Sequence, residues 1–247
     1  MAAKQRLDTM LVARGLAESR AKAQALALAG LVYSGERRLD KPGQMLADDT
    51  PLECRGRGHP YVSRGGVKLA HALDHFAIDP AGAVALDIGA STGGFTDVLL
   101  RRGAAKVFAV DVGHGQLDWR LRQDARVVVL ERCNARHLTR AEVPELPALV
   151  VCDASFIGIE TVLPAALALA APNAGLIALI KPQFEVGKGR VGKGGVVRDP
   201  ALHEEVCSRI AAWLAGQAGW SVLGLTESPL RGPDGNVEFL IAARRGA

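Results

Sequence analysis

The sequence predicts an α/β protein built on a doubly wound, mostly parallel sheet, preceded by a small α+β module. Three observations carry that prediction. Unalternated Val/Ile/Leu runs recur at 84–91, 107–112, 127–131, 149–155 and 176–182, separated by helix-length segments, which is how strands covered on both faces read. Two further strand-like runs, 220–226 and 237–242, are joined by a loop at 229–235 with no room for a helix, so they must pair antiparallel and the sheet is mixed. The chain has 247 residues, enough for a small module and a larger domain with its own core.

In chain order, residues 5–30 read as two short helices. Leu7, Met10 and Leu11 share one face of the first at i, i+3, i+4. The second is alanine-rich, capped by Ser19 and stopped by Gly30. Leu31-Val32-Tyr33, a Ser34-Gly35 turn and a Lys41-Pro42-Gly43 break then suggest a small hairpin. The stretch Arg55-Gly56-Arg57-Gly58-His59-Pro60 mixes glycine, charge and proline, which places a linker near 56–62 and divides the chain into 1–58 and 59–247. From about residue 66 the strand and helix alternation of the larger domain begins.

Composition excludes several classes. Hydrophobic residues make up 49% and charged residues 23%, ordinary for a soluble globular protein and unlike a disordered chain. No apolar run approaches the ~20 residues that span a bilayer. The opening MAAKQRLDTM has no apolar signal core, so a cytoplasmic protein is expected. Cys54, Cys133, Cys152 and Cys207 stand far apart without a CxxC pair; four buried free thiols are expected, with neither zinc site nor disulfide framework. Residues 1–58 hold 10 Lys+Arg against 7 Asp+Glu and the rest hold 20 against 19, so a basic N-terminal piece precedes a near-neutral body and suggests a polyanionic partner.

The first chemical motif is Asp87-Ile88-Gly89-Ala90-Ser91-Thr92-Gly93-Gly94-Phe95, at the carboxyl end of the first strand of the body. Glycines there allow close approach of backbone to a ligand, and the following helix N-terminus favours polar or anionic groups. Ser91 occupies the second glycine of GxGxxG, so the dinucleotide pattern is not met and a nicotinamide oxidoreductase is disfavoured. Asp87 ahead of the glycines and Asp111 ending the next strand suit a nucleoside bearing an amino-acid group, with Asp111 accepting from both ribose hydroxyls. The other reading is a generic strand-to-helix turn with Asp111 as a helix cap. A second constellation is scattered: Lys68, Asp153, Lys181 and Glu238. Asp153 and Lys181 end two core strands, Lys68 lies just ahead of the sheet and Glu238 on its last strand. Lysines gathered among carboxylates can be oriented and tuned for proton transfer, whereas each residue alone reads as a surface charge.

These residues carry a family resemblance. RLDTMLVARGLAESRAKAQALALAG followed by LVYSG resembles the RNA-binding module of ribosomal protein S-four type. PYVSRGGVKL, LDIGASTGGFTDVLL, AVDVGHGQLDWRLR, ERCNAR, CDASFI, IKPQFE and GNVEFL resemble the TlyA family, whose hemolysin-named members act as ribose 2′-O-methyltransferases on ribosomal RNA through an FtsJ-like domain. The resemblance spans essentially the whole chain. It implies a Rossmann-like class I methyltransferase with a seven-stranded mixed sheet. It further implies S-adenosyl-L-methionine as methyl donor, a Lys68–Asp153–Lys181–Glu238 tetrad, and a cofactor site at Asp87, Gly89, Ala90, Ser91, Gly93, Gly94, Phe95, Asp111, Asn134 and Asp153. Ribosomal RNA or subunits are the implied partner, cytidine the implied nucleotide, and no metal or membrane is required.

On that basis Lys181 takes the proton of the ribose hydroxyl or orients it, Lys68 and Glu238 set the hydroxyl's position, and Asp153 holds Lys181. Arg6, Arg14, Arg20, Lys22 and Lys41 are the expected phosphate contacts, with Tyr61 and Arg64 coupling RNA docking to the site; a solvated helix face is the alternative for the first five. Aromatic residues are only 4% of the chain, which fits folded RNA better than single strands stacked on aromatic platforms. Gly187 to Gly194 mimics GxxxxGK[ST] but lacks the magnesium-binding hydroxyl, leaving a basic loop beside the site. His71 and His75 have HExxH spacing without its glutamate. Trp119, Trp213 and Trp220 read as core anchors. A non-catalytic ribosome-assembly factor and a membrane-lytic hemolysin are the alternatives; the complete tetrad opposes the first and the absence of a long apolar or basic amphipathic segment the second.

Overall fold

In the computed structural model, which describes residues 4–17, 19–54, 59–187 and 189–247, the chain divides into two units, Met1–Pro60 and Tyr61–Ala247. Residues 56–58 of the expected linker lie outside the described residues.

The first unit contains β1 (Lys4–Arg6), α1 (Leu7–Ala13), α2 (Arg20–Leu28), β2 (Val32–Ser34), β3 (Arg37–Arg38), β4 (Met45–Ala47) and β5 (Glu53–Cys54). Leu7, Met10 and Leu11 are at most 1% exposed, as their helical spacing requires. Leu7 and Leu11 pack with Ala23, Ala27, Val32 and Leu39 into one small core. The Ser19 hydroxyl accepts from the Lys22 amide at 3.3 Å and caps α2, and Gly30 follows the helix with φ +67°. The first helix begins later than its sequence pattern suggests. Residues 4–6 are drawn into a strand because they pair antiparallel with 45–47, a partner that no local pattern reveals. The expected hairpin is β2 with β3, extended by β5 on the other side of β2.

The second unit contains α3 (Gly65–His75), β6 (Val84–Ile88), α4 (Gly94–Arg101), β7 (Lys106–Val110), α5 (Trp119–Arg122), β8 (Val127–Leu130) and β9 (Leu149–Cys152). It continues with α6 (Ile159–Val162), α7 (Pro164–Leu169), β10 (Gly175–Ile180), α8 (Pro182–Glu185), α9 (Pro200–Ala215), β11 (Trp220–Glu227) and β12 (Phe239–Arg245). Its seven strands form one sheet in the order β11-β12-β10-β9-β6-β7-β8, in which β12 runs antiparallel to both neighbours. This is the expected seven-stranded mixed sheet.

Both faces of the sheet's central strands are buried, with strand residues alternating between them. Leu86, Ile88, Val150, Leu176, Ile180 and Ile241 meet Ile159, Leu163, Val206 and Ile210 of α6, α9 and the α6–α7 junction on one face. Ala85, Val151, Ile177, Leu179, Leu240 and Ala242 meet Leu69, Leu73, Val98 and Leu99 of α3 and α4 on the other. Each of these fully covered Leu or Ile side chains contributes about 1.5–3 kcal/mol relative to exposure.

Some expectations are corrected. Cys152 is buried, but Cys54, Cys133 and Cys207 are only partly so, because they lie at element ends and on an outward helix flank. Trp119 is 60% exposed and anchors no core, whereas Trp220 is buried on β11. Glu238 stands just before β12 (Phe239–Arg245) rather than on it, although its carbonyl still accepts from the Ser228 amide at 2.9 Å.

Candidate active site

Strand periodicity and register bring the scattered charges together. Leu149 and Val151, then Ile177 and Leu179, point to the α3/α4 face. The same two-residue period carries Asp153 and Lys181 to that face just past the ends of β9 and β10. Glu238, two residues before Leu240, joins them. Ile180 pairs with Phe239, so Lys181 and Glu238 follow at one edge of the sheet, outside the carboxyl ends of the parallel strands. Lys68 reaches the same place from α3.

Two ion pairs result. Lys68 Nζ meets Glu238 Oε2, with the two side chains 9% and 1% exposed. Lys181 Nζ lies 2.7 Å from Asp153 Oδ1 and donates to the Asp153 carbonyl at 3.1 Å and to Ser155 Oγ at 2.8 Å. All four residues line one cavity of about 240 Å³, together with Ser63, Arg64 and Arg231. A second cavity of about 450 Å³ adjoins it and shares Gly89, Ser91, Asp153 and Ser155.

The glycine turn shapes the boundary between these spaces. Gly89 has φ +79°, and a Cβ there would stand 2.8 Å from the Ala154 Cα, so only glycine lets the β6 and β9 ends approach. Asp111 ends in the larger cavity, its carboxylate fixed by the amides of Ser91 at 2.8 Å and Gly113 at 2.6 Å. It therefore braces loop backbone and caps no helix. Asn134 lines the same cavity and accepts from the Arg136 amide at 3.1 Å.

Not every expected cofactor residue faces that space. Ala90, Gly94 and Phe95 line the smaller cavity, whereas Gly93 packs on Leu117 and Leu121 and lines neither. Asp87 is fully buried beneath the turn. Its Oδ2 accepts from Thr96 Oγ1 at 2.6 Å, and Oδ1 has no partner among the described residues. Burial pushes this carboxyl up to about 7. The neighbouring Cys152 thiol is pushed up by burial to about 12, which leaves it an unreactive thiol at neutral pH.

The expected RNA contacts are held in varied ways. Arg6 and Arg20 both bond Asp8, which is fully buried and also accepts from Gln24; the Arg6 guanidinium holds that carboxyl far below the ordinary range. Arg14 donates to the carbonyls of Asp48 and Thr50. Lys22 is half-buried and Lys41 exposed. In the second unit, Tyr61 packs against Gly66 and under the Arg101 guanidinium, and Arg64 donates to the Arg231 carbonyl at 2.9 Å.

Sequence reasoning missed several lining residues. Ser155 follows Asp153 at a strand end, a position that could have been singled out. Arg231 sits in a loop and carries no signal. Phe156 lines the larger cavity, is 89% exposed with φ +64°, and leans on Phe184 at 4.9 Å between ring centroids. A cavity of about 960 Å³ between α9, β11 and the 231–239 segment is lined by none of the expected site residues. The expected site residues gather instead around the two smaller spaces. Among the described residues no three His, Cys, Asp or Glu side chains are grouped to hold a metal ion.

A seven-stranded sheet with one antiparallel strand, a glycine turn after its first parallel strand and an acid ending the next is the build of a class I methyltransferase. Residues 61–245 match the FtsJ-like methyltransferase family and residues 5–49 the S4 domain. The 16S/23S rRNA (cytidine-2′-O)-methyltransferase TlyA of Mycobacterium tuberculosis is 51% identical over 245 residues, covering 99% of this chain and 91% of the relative. Hemolysin A of Brachyspira hyodysenteriae is 40% identical over 236 residues, covering 95% and 98%. A solved hemolysin-named structure from Streptococcus thermophilus superposes with a TM-score of 0.77 at 42% identity, covering 100% of this chain and 90% of that one. The chain belongs to the FtsJ-like methyltransferases and, within them, to the TlyA family. Among the described residues no helix is long and apolar enough to cross a membrane, whatever the hemolysin name suggests.

Proposed function

We propose that this chain transfers a methyl group from S-adenosylmethionine to the 2′-hydroxyl of a cytidine ribose in ribosomal RNA. The observation that carries the reading is the convergence of Lys68, Asp153, Lys181 and Glu238 on one small cavity that opens into a larger one. At about 450 Å³ the larger space suits a nucleoside-sized ligand. Its chemistry fits the cofactor. Gly89 leaves the backbone bare, the braced Asp111 carboxylate retains lone pairs for ribose hydroxyls, and Asp87 keeps one carboxylate oxygen unbonded beneath the turn. Gly89, Ser91, Asp111, Asn134 and Asp153 would hold it, with Asp87, Ala90, Gly93, Gly94 and Phe95 shaping the turn. When bound, S-adenosylmethionine supplies a methyl group on a cationic sulfur.

A ribose hydroxyl is a weak nucleophile until its proton is removed. As an ammonium, Lys181 donates to the Asp153 carbonyl and to Ser155 Oγ and forms an ion pair with Asp153 Oδ1. As a neutral amine it would keep the bonds to the Asp153 carbonyl and Ser155, turn its lone pair toward the hydroxyl and take its proton. Glu238 fixes Lys68, whose remaining N–H groups orient the ribose oxygen. Asp153 holds Lys181 and places negative charge beside the cofactor's cation. With these groups preset, alignment supplies much of the rate.

The substrate class rests on the whole-length match to a relative named for cytidine in 16S and 23S rRNA, and on the S4 domain. Arg6, Arg14, Arg20, Lys22 and Lys41 contact RNA phosphates, and Tyr61 and Arg64 guide the strand toward the tetrad. Ribosomal subunits as substrate make the cytoplasm the site of action.

The test incubates purified protein with ribosomal subunits, or free ribosomal RNA, and methyl-labelled cofactor, then digests the RNA to nucleosides. Label is expected in 2′-O-methylcytidine. Label in a base instead of a ribose, or in neither substrate, overturns the proposal.

A further inference from the structure

We infer that Asn236 is a positioning residue that holds Glu238, and through it Lys68, by tying the turn ahead of Glu238 to the loop at 189–197. The inference rests on the role proposed above for Glu238.

Asn236 is 1% exposed and lines neither reaction cavity. Both ends of its amide are spent on loop backbone: Oδ1 accepts from the Val197 amide at 2.9 Å, and Nδ2 donates to the Gly195 carbonyl at 3.0 Å. Its own carbonyl accepts from the Gly232 amide at 2.9 Å, closing the turn. Gly232 then packs directly on the Glu238 carboxylate, since a Cβ at Gly232 would stand 2.7 Å from Oε1. Lys68 takes the other oxygen, Oε2. The Glu238 carboxylate is thus clamped between Lys68 and the Gly232 backbone, and Asn236 decides where Gly232 lies.

The loop is itself a firm support. Arg190 makes a two-bond pair with Glu205 of α9, both at 2.6 Å, and His203 Nε2 lies 2.9 Å from the Val197 carbonyl. Moving this buried amide would leave the Val197 amide and the Gly195 carbonyl unpaired, which opposes displacement of the turn. The 450 Å³ cavity contains no residue of this clamp. Disturbing the clamp should move Glu238 without touching the cofactor pocket.

Asn236→Ala and Asn236→Asp test this. The aspartate keeps the acceptor for Val197 but presents no amide N–H to Gly195. For Asn236→Ala, kcat should fall about 10- to 100-fold, because sub-ångström misplacement of an aligning group is that costly. The cofactor Kd, measured by calorimetry on the same protein, should stay within about twofold, since sites without shared partners behave independently. Asn236→Asp buries a charge and sets a carboxylate oxygen against the Gly195 carbonyl, so it should lose at least as much as Asn236→Ala. Combined with Glu238→Gln, Asn236→Ala should add little further loss, because both act through one carboxylate. Unchanged kcat in Asn236→Ala overturns the inference, as does a loss of cofactor affinity and melting temperature in step with kcat. Additive losses in the double variant overturn it as well. If Glu238→Gln alone leaves kcat unchanged, the role of Glu238 fails instead, a result separable from failure of the clamp.

Discussion

Replacing Lys68 with methionine separates the structural from the chemical role of the Lys68–Glu238 pair. The Glu238 side chain is 1% exposed and Lys68 9%, so removing the lysine strands a carboxylate away from water. Breaking a buried pair in this way costs about 3–5 kcal/mol. In a domain of this size each kcal/mol shifts Tm by about 2–4 °C, so Lys68→Met should melt roughly 6–20 °C below wild type. A double variant, Lys68→Met with Glu238→Leu, removes both charges and should recover most of that loss, within about 1–2 kcal/mol of wild type. Methyl transfer should stay absent in both. The assay is urea and thermal denaturation of wild type, both single variants and the double, beside a labelled-methyl assay on the same preparations. A Lys68→Met protein that melts with wild type, or a double variant no more stable than the single, refutes the reasoning.

Three other outcomes follow from the geometry. Gly89→Ala places a methyl 2.8 Å from the Ala154 Cα at a φ of +79°, so cofactor affinity should drop at least about tenfold by calorimetry while the fold persists. Asp87, raised by burial to about 7, holds a proton in the folded protein that the unfolded chain has released above its ordinary range. Its contribution to stability therefore declines as pH rises from about 4 toward 7, and Asp87→Asn should flatten the pH dependence of urea midpoints over that window. Asp8 is buried among Arg6, Arg20 and Gln24, so Asp8→Ala should destabilise the first unit by about 2 kcal/mol or more, seen as faster proteolysis within residues 4–54 with cofactor binding intact.

Strands β6, β7, β9 and β10 were legible because each is buried on both faces and reads as an unbroken apolar run. Their ends were less so: the 84–91 run stops as strand at Ile88 because Gly89 turns the chain through a positive φ. The convergence of Asp153, Lys181 and Glu238 was also within reach, since all three share parity with inward residues of their strands, although choosing them among other charges required the family resemblance. What local pattern could not reveal is non-local. Strand β1 exists only through pairing with β4. Arg6 and Arg20 read as solvated cations, yet both, while still partly exposed, also pair with one buried aspartate that their spacing does not announce. Arg231 and Ser155 reach the site from loops, where position depends on tertiary packing rather than periodicity.

The central claim is that Lys181 handles the ribose proton in a cavity whose neighbour holds the cofactor independently. Single-turnover methyl transfer to ribosomal subunits by Lys181→Ala, with cofactor binding measured on the same sample, addresses it most directly. The account predicts cofactor affinity within a few-fold of wild type and transfer slowed by about 10²- to 10⁴-fold. Transfer at the wild-type rate with cofactor bound would contradict it.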